Sequence, residues 1–191
     1  MPKRSLRTQL LEQRRHLNHD VRIAADREAQ LKLLSLDEFG QAAVVALYAP
    51  IHNEIGTGMI MESCFAAHKV VLLPTVSGRH LFFRRVSGAD QLRKGPFGIA
   101  EPAPDAPLYG IERIDLMVVP GVGFDVSGHR IGYGKGYYDC FLHQGGDAMP
   151  FLVGLCHDFQ LTHGGVVHEA HDIPMDIVVS EKRVVRIPQE K

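Results

Sequence analysis

A loop with glycines at alternate positions carries the residues best suited to chemistry in this chain. It spans residues 130–139 and places Gly132, Gly134 and Gly136 around Lys135. Glycine has no Cβ atom, so the backbone there can adopt a positive φ and approach a ligand closely. Backbone N–H groups, the positive end of a following helix and the Lys135 ammonium all attract an anion. The loop therefore predicts a phosphate-binding site.

The spacing of these glycines differs from that of two common phosphate-binding loops. A Walker loop places Ser or Thr directly after its Gly-Lys pair, whereas Gly136 and Tyr137 follow here, so no hydroxyl is placed for Mg²⁺. A dinucleotide-binding loop has the pattern GxGxxG, and this loop has GxGxG. On glycine spacing alone, a turn without a ligand is an equal alternative. Lys135, the paired tyrosines and the closing Asp139 favour the anion site.

Five motifs, including the glycine loop, follow one another along the chain. They are KRSLR at 3–7, NEIGT at 53–57, GPFGIAEP at 95–102, PGVGFD at 120–125 with RIGYGKGYYD at 130–139, and HDIPMD at 171–176. In this order they resemble the 5-formyltetrahydrofolate cyclo-ligase family, also called methenyltetrahydrofolate synthetases, whose members carry P-G-x-x-F-D and then G-x-R-[LI]-G-x-G-x-G-[YF]-Y-D. The resemblance covers nearly the whole chain. Relatives often have Arg where this chain has Tyr133.

The resemblance implies an enzyme and its reaction. Such an enzyme converts 5-formyltetrahydrofolate and ATP to 5,10-methenyltetrahydrofolate, ADP and phosphate, through a phosphorylated, imidate-like formyl intermediate, with Mg²⁺ as cofactor. The alternative is an anion-binding regulator or a sugar-phosphate enzyme on the same α/β fold. That alternative would keep the glycine loop but would not need Lys3, Arg7, Glu54, Asp139 and Asp176, all of which are present.

The resemblance also implies which residues bind ATP. These lie in two segments: Lys3, Arg4, Ser5, Leu6 and Arg7, and then Arg130, Ile131, Gly132, Tyr133, Gly134, Lys135, Gly136, Tyr137 and Tyr138. We expect Lys135 and Tyr138 to be catalytic. Lys135 would neutralise charge on the phosphoryl group during its transfer.

The folate and metal sites follow from the same resemblance. The folate-binding residues would be Ala49, Glu54, Tyr133 and Tyr137, and Mg²⁺ would be held by Asp139 and Asp176. A carboxylate at Glu54 can accept hydrogen bonds from pterin N–H groups. Mg²⁺ prefers oxygen ligands, with few protein carboxylates. From the residues alone, Glu54 would be a solvated loop residue, Asp139 a first-turn carboxylate and Asp176 a strand-start cap.

The first helix has basic side chains next to its apolar face. Residues 3–17 have the spacing of an amphipathic helix, with Lys3, Arg7 and Arg14 in a stripe beside the leucines. Because the stripe adjoins a buried face, its charges could point into the ligand crevice, but from the sequence alone we favour a solvated helix flank. The resemblance makes Lys3 and Arg7 nucleotide ligands and leaves Arg14 on the solvated flank. Asn18 then offers a cap for a second helix that reaches about Leu36.

Val-rich segments alternate with helical ones along the rest of the chain. The predicted strands are Val44 to Tyr48, Lys69 to Pro74, His80 to Val86, Leu116 to Val119, Phe151 to Leu155 and Ile177 to Val179, with helices at about 57–68 and 136–145. This pattern predicts an α/β fold, a three-layer α/β/α arrangement with a mostly parallel, Rossmann-like open sheet. We expect one domain over 1–191, with the helical segment 1–36 packed on the core.

Ligands of open α/β sheets bind beyond the carboxyl ends of the strands. We therefore expect Ala49 to Thr57, Pro120 to Asp125 and His157 to Asp158 to meet around one crevice. The proline-rich stretch from Ser87 to Tyr109 is predicted to be a long loop that covers or binds a ligand.

Composition limits the class of protein. The 191 residues are 45% hydrophobic and 23% charged with a net charge of −1, which argues against nucleic acid as a partner. The longest apolar run is too short to cross a membrane. Three cysteines fit a reducing cytoplasm, and the basic first residues lead directly into the folded pattern, so we expect no cleaved presequence. We expect a cytoplasmic monomer that acts on small molecules.

Overall fold

The computed structural model describes residues 3–88, 91–95, 100–166 and 172–188. Its helices are α1 (Lys3–Arg15), α2 (His19–Leu34), α3 (Asp37–Gln41), α4 (Gly58–Ala66) and α5 (Tyr137–Leu142). Its first strands are β1 (Val44–Ala46), β2 (Val70–Ser77), β3 (His80–Val86), β4 (Leu92–Lys94), β5 (Ala100–Pro102) and β6 (Leu108–Tyr109). The later strands are β7 (Leu116–Val119), β8 (Gly123–Asp125), β9 (Arg130–Ile131), β10 (Phe151–Leu155), β11 (Leu161–Thr162), β12 (Ile177–Val179) and β13 (Val184–Arg186). Over these ranges, none of the helices combines the length and apolar character needed to cross a bilayer.

Eight strands form the central sheet, in the order β13-β12-β10-β7-β1-β2-β3-β6. The five strands from β12 to β2 pair in parallel, and the strands beyond them pair antiparallel. All six strands predicted from the Val-rich segments are present in this sheet. The fold is therefore the mostly parallel, open α/β arrangement that the alternation of strands and helices predicted.

Alternate residues of the buried strands pack against helices on opposite faces of the sheet. On one face, Val45 and Leu116 join a core that includes Ala29 of α2 and Ile60 of α4. On the other, neighbouring strand residues such as Met117 pack with α5 and with the residues of a short 3₁₀ turn at Ile111–Arg113. A strand buried on both faces reads as a continuous apolar run, and this explains the four fully buried residues of β7. The sheet thus lies between two layers.

Asn18 ends the turn between α1 and α2 and caps α2, as the sequence predicted. Its side-chain oxygen accepts hydrogen bonds from the N–H groups of Asp20 at 2.9 Å and Val21 at 3.3 Å. Both N–H groups belong to the first turn of the helix, where no backbone acceptor exists. The cap fixes where α2 starts and therefore where the chain turns after α1.

The prediction of a long loop from Ser87 to Tyr109 is wrong. The described part of this stretch contains β4 and β5, which pair antiparallel as a two-stranded ribbon, and β6, which pairs with the edge strand β3. These strands have two or three residues each, which is too short for alternation of apolar and polar residues to be recognised. Positions 96–99 of the GPFGIAEP motif and His171 of the HDIPMD motif lie outside the described residues.

The three segments predicted to share one crevice do meet at the carboxyl end of the sheet. The His157 imidazole Nε2 lies 3.0 Å from the carbonyl oxygen of Asn53, and the Gln160 amide donates to the Val122 carbonyl at 2.7 Å. A second sheet, in the order β11-β8-β9, stands beside them and leads into the glycine loop. Contacts between segments this far apart in the chain hold the candidate site together.

Helix α1 packs over this second sheet through its leucines, of which Leu10 is buried and Leu6 and Leu11 are partly buried. Leu10 is buried in a cluster with Val122, Ile131 and Val166. A Cβ atom at Gly123 would lie 2.6 Å from the Leu10 Cδ1 atom, so glycine at that position lets Leu10 pack closely without a shift of its side chain. This contact brings the side chains on the same face of α1 to the crevice.

Candidate functional site

The glycine loop has the backbone geometry expected for close approach to a ligand at two of its three glycines. Gly134 has φ of 93° and Gly136 has φ of 68°, both in the left-handed region. Lys135 lies between them with an exposed side chain. The helix that follows has only six residues, Tyr137–Leu142, and is shorter than predicted. The loop N–H groups and the Lys135 ammonium are therefore the main features that attract an anion.

Arg7 joins the two segments predicted to bind ATP. Its Nε donates a hydrogen bond to the Gly132 carbonyl at 2.8 Å. Its guanidinium lies 3.5 to 3.7 Å from the point where a Cβ atom at Gly134 would stand. Lys3 instead pairs with Asp172, with Nζ 3.1 Å from Oδ2. Among the predicted ligands of the first segment, Arg7 is thus in direct contact with the loop, while Arg4 and Ser5 are exposed on α1.

Glu54 is buried, so the interpretation of it as a solvated loop residue is wrong. Its Oε1 accepts the Tyr133 hydroxyl at 2.9 Å, and its Oε2 accepts the Ile51 backbone N–H at 2.9 Å. The guanidinium of Arg14 lies 3.8 Å from Oε1. Burial raises the pKa of Glu54, and the Ile51 N–H, the Arg14 charge and the Tyr133 hydrogen bond oppose that rise in part. The site thus contains a desolvated carboxylate beside an anion-attracting loop.

Arg14 is the site residue that the sequence analysis missed. Its side chain is 1% exposed, contrary to the expected solvated flank. Its Nη2 donates to the Tyr133 hydroxyl oxygen, and its Nη1 donates to the Gly121 carbonyl at 3.4 Å. The sequence contained one indication of its burial. Arg14 follows the buried Leu10 by four positions and therefore lies on the same face of the helix.

The turn before Glu54 has an uncommon backbone conformation and is held by a hydrogen bond with His157. His52 has φ of 48° and Asn53 has φ of 61°, both in the left-handed region. Since a carbonyl oxygen only accepts, the His157 Nε2 must carry the proton that bonds to the Asn53 carbonyl. The other ring nitrogen accepts a backbone N–H of the 3₁₀ turn at Asp158–Gln160. His157 is therefore neutral and stabilises the turn that positions Glu54.

This buried histidine predicts a pH dependence of stability. Burial lowers the pKa of His157, so the unfolded chain takes up a proton at a higher pH than the folded protein does. We expect the free energy of unfolding to fall as the pH drops below about 6.5, the ordinary pKa of histidine. Urea unfolding from pH 8 to pH 5 measures this. A His157→Gln variant should show a weaker decline, whereas the exposed His19→Gln should decline like the parent chain. Parallel curves for all three would contradict the assignment.

Asp139 and Asp176, the predicted metal ligands, lie at the starts of two different elements. Asp139, in the first turn of α5, accepts a hydrogen bond from Arg130, which also donates to the Ile173 carbonyl at 3.1 Å. Asp176 precedes β12 and accepts the Leu152 N–H at 2.7 Å. Within the described ranges there is no cluster of three His, Cys, Asp or Glu side chains suited to a metal ion. One carboxylate beside a phosphate loop still fits Mg²⁺, which takes most of its ligands from water and phosphates.

The two tyrosines after the loop pack inward. Tyr138 contacts both core clusters, and its ring meets the Phe83 ring edge-on with centroids 6.4 Å apart. Burial raises the pKa of Tyr138, so its hydroxyl remains protonated and can only act as a neutral donor or acceptor. Tyr137 packs against the core on the α5 side of the sheet. Ala49, half-buried, follows β1 at the same end of the sheet as Glu54.

Comparison with known proteins gives matches over most of the chain. The model of the 5-formyltetrahydrofolate cyclo-ligase family matches residues 1–181. The 5-formyltetrahydrofolate cyclo-ligase of Saccharomyces cerevisiae is 32% identical over 203 residues, covering 93% of this chain and 94% of the relative. These matches confirm the resemblance that the motifs indicated.

Two solved structures are similar in fold. The NMR structure of 5,10-methenyltetrahydrofolate synthetase from Aquifex aeolicus has a TM-score of 0.87 and 34% identity, covering 100% of this chain and 95% of that chain. A 5,10-methenyltetrahydrofolate synthetase from Mycoplasma pneumoniae has a TM-score of 0.77 and 25% identity, covering 95% of this chain and 99% of that chain. The α/β fold is thus shared with proteins of matching sequence.

Proposed function

The chain belongs to the 5-formyltetrahydrofolate cyclo-ligase family, ligases of folate one-carbon metabolism, and from this premise we propose its reaction in detail. It uses ATP to close 5-formyltetrahydrofolate to 5,10-methenyltetrahydrofolate, releasing ADP and phosphate. The observation that carries this proposal is the hydrogen bond between Tyr133 of the glycine loop and the buried Glu54. A site for phosphates and a site for a pterin must adjoin if a phosphoryl group is to pass between their ligands.

The chemistry explains why both sites are needed. The formyl oxygen is a poor leaving group, so it first attacks the γ-phosphorus while the bond from that phosphorus to the ADP oxygen breaks. N10 then attacks the formyl carbon of this imidate-like phosphate and loses its proton to solvent, and the carbon–oxygen bond breaks to release phosphate. The protein's task is in-line positioning and neutralisation of the charge on the transferring group.

Each group of residues has a part in that task. We assign the phosphates to the glycine loop and Arg7, with Lys135 as the catalytic cation, and the pterin to Glu54. Ala49, Tyr133 and Tyr137 would complete the folate site, and Tyr138 would act as a fixed hydroxyl near the reacting groups. Asp139 and Asp176 would hold Mg²⁺, which would neutralise phosphate charge when bound. This division is supported by the loop geometry and by the burial of Glu54.

A direct assay tests the proposal. Formation of the methenyl product is followed by its near-ultraviolet absorbance with 5-formyltetrahydrofolate, ATP and Mg²⁺ present, and then with each omitted in turn or with the metal chelated. We expect a rise only when all three are present. A flat trace from folded protein that still binds ATP would contradict the ligase and favour the anion-binding regulator. A rise that survives chelation would contradict the magnesium assignment alone.

A further inference from the structure

Arg14 carries a positive charge that is almost fully removed from water. Its side chain is 1% exposed, and the Glu54 side chain beside it is 4% exposed. Among the described residues, Glu54 is the one carboxylate within ion-pair distance of Arg14, at 3.8 Å. The Nε of Arg14 is buried and makes no hydrogen bond within the described structure. Burying a charge with so few partners lowers the stability of the fold, so we looked for a functional role of Arg14 beyond the packing of α1.

The hydrogen bonds between these groups run in one direction. Arginine only donates, so the Tyr133 oxygen accepts from Arg14 and its own proton must point elsewhere. That proton is donated to Oε1 of Glu54 at 2.9 Å, while the Ile51 N–H is donated to Oε2 at 2.9 Å. A carboxylate that accepts on both oxygens is the ionised form. The arrangement therefore favours Glu54 without its proton.

We propose that Arg14 is a positioning residue that keeps Glu54 ionised and so sets the affinity for the reduced folate, while leaving ATP affinity unchanged. The inference rests on the proposed role of Glu54 in binding the pterin. Pterin N–H groups need an acceptor, and a protonated carboxyl is a poor one. The Tyr133 hydroxyl occupies Oε1 here and stands where a pterin donor would bind.

Burial works against this ionised form, which is why the nearby cation matters. Burial raises the pKa of Glu54, and the charge of Arg14 lowers it. The other titratable groups facing Glu54 are His52 on its own turn, Tyr133 on the glycine loop, Tyr48 after β1 and Tyr138 on α5. The three tyrosines have raised pKa values and stay neutral around pH 7. His52 is therefore the remaining neighbour whose charge acts on Glu54, and the test includes a variant without it.

The test measures folate and ATP affinity as a function of pH. We would determine Kd for 5-formyltetrahydrofolate without ATP, and Kd for ATP without folate, from about pH 6 to about pH 9 in Arg14→Met and Arg14→Gln. An opposite charge moves a carboxyl pKa by about 1 to 3 pH units. We therefore expect folate binding about tenfold weaker at neutral pH, with recovery toward the parent value as the pH rises. Binding of ATP should be unchanged.

Several controls make the result specific. Arg15→Met removes the adjacent arginine, which is 71% exposed, and should leave both affinities unchanged. The pH-dependent loss should persist in a His52→Gln background and disappear in the Glu54→Gln background, where no carboxyl remains to titrate. The Arg14→Gln variant keeps a donor for the Gly121 carbonyl and covers the case in which the methionine variant does not fold.

The outcomes separate this inference from the proposed function. If Glu54→Gln leaves folate affinity unchanged, the pterin role of Glu54 is wrong and the inference fails with it. If Glu54→Gln weakens folate binding but the Arg14 variants lose affinity equally at every pH, Arg14 has a packing role and the inference alone is overturned. Equal weakening of ATP and folate binding in the Arg14 variants would also overturn it.

Discussion

Replacing Lys135 with alanine should lower kcat by about 10²- to 10³-fold, the effect typical of removing one preorganised group that stabilises a developing charge. The Lys135 side chain is exposed between two glycines of left-handed conformation. In the described structure it makes no hydrogen bond or ion pair, so its loss removes no contact that holds the fold. Phosphoryl transfer depends on cations placed at the transferring group, and Lys135 is the lysine that the loop presents to it.

The measurement compares kcat at saturating ATP and folate with the thermal unfolding temperature of the same preparation. Lys182→Ala, which removes another exposed lysine, serves as the matched control and should retain full turnover. Lys135→Arg should recover part of the rate, because it restores the charge with a different shape. A kcat near that of the parent chain in Lys135→Ala would contradict the assignment of the glycine loop as a phosphate-binding site.

Replacing Glu54 with glutamine should weaken the apparent affinity for 5-formyltetrahydrofolate by about 10- to 100-fold. Hydrogen bonds to a charged group contribute about 1.5–3 kcal/mol each, and the amide keeps the shape of the side chain while losing the charge. It also has one acceptor oxygen in place of two, so it cannot accept Tyr133 and Ile51 on separate oxygens as the carboxylate does. The KM for ATP should stay unchanged, because the phosphates bind at the loop.

The KM values for folate and ATP, determined separately, test this selectivity. Glu12→Gln, at an exposed position of α1, is the matched control for loss of one carboxylate. A parallel rise in both KM values would show that Glu54 supports the site as a whole and does not bind the pterin.

Local sequence patterns were sufficient to predict the main strands of the central sheet and the start of α2. Five of the six predicted strands were recognised because burial in the sheet gives continuous apolar segments, and β3 because its buried and exposed residues largely alternate. Asn18 was predicted as a cap because its side chain can accept first-turn N–H groups. The strands outside this set have two or three residues. They exist because a neighbouring strand offers hydrogen bonds, and no pattern within two residues can indicate that.

The candidate site divides in the same way. The sequence by itself determined the glycine loop, with Lys135 between two residues of positive φ, because the lack of a Cβ atom is a property of glycine wherever the chain goes. Through the NEIGT motif at 53–57, the sequence also identified Glu54 as a candidate site residue. Only the tertiary structure decided that Glu54 and Arg14 are buried together and that Tyr133 joins them, since burial and pairing depend on groups 79 and 119 positions apart in the chain. Water is removed from a charge by whatever packs over it, and that is a property of the folded protein.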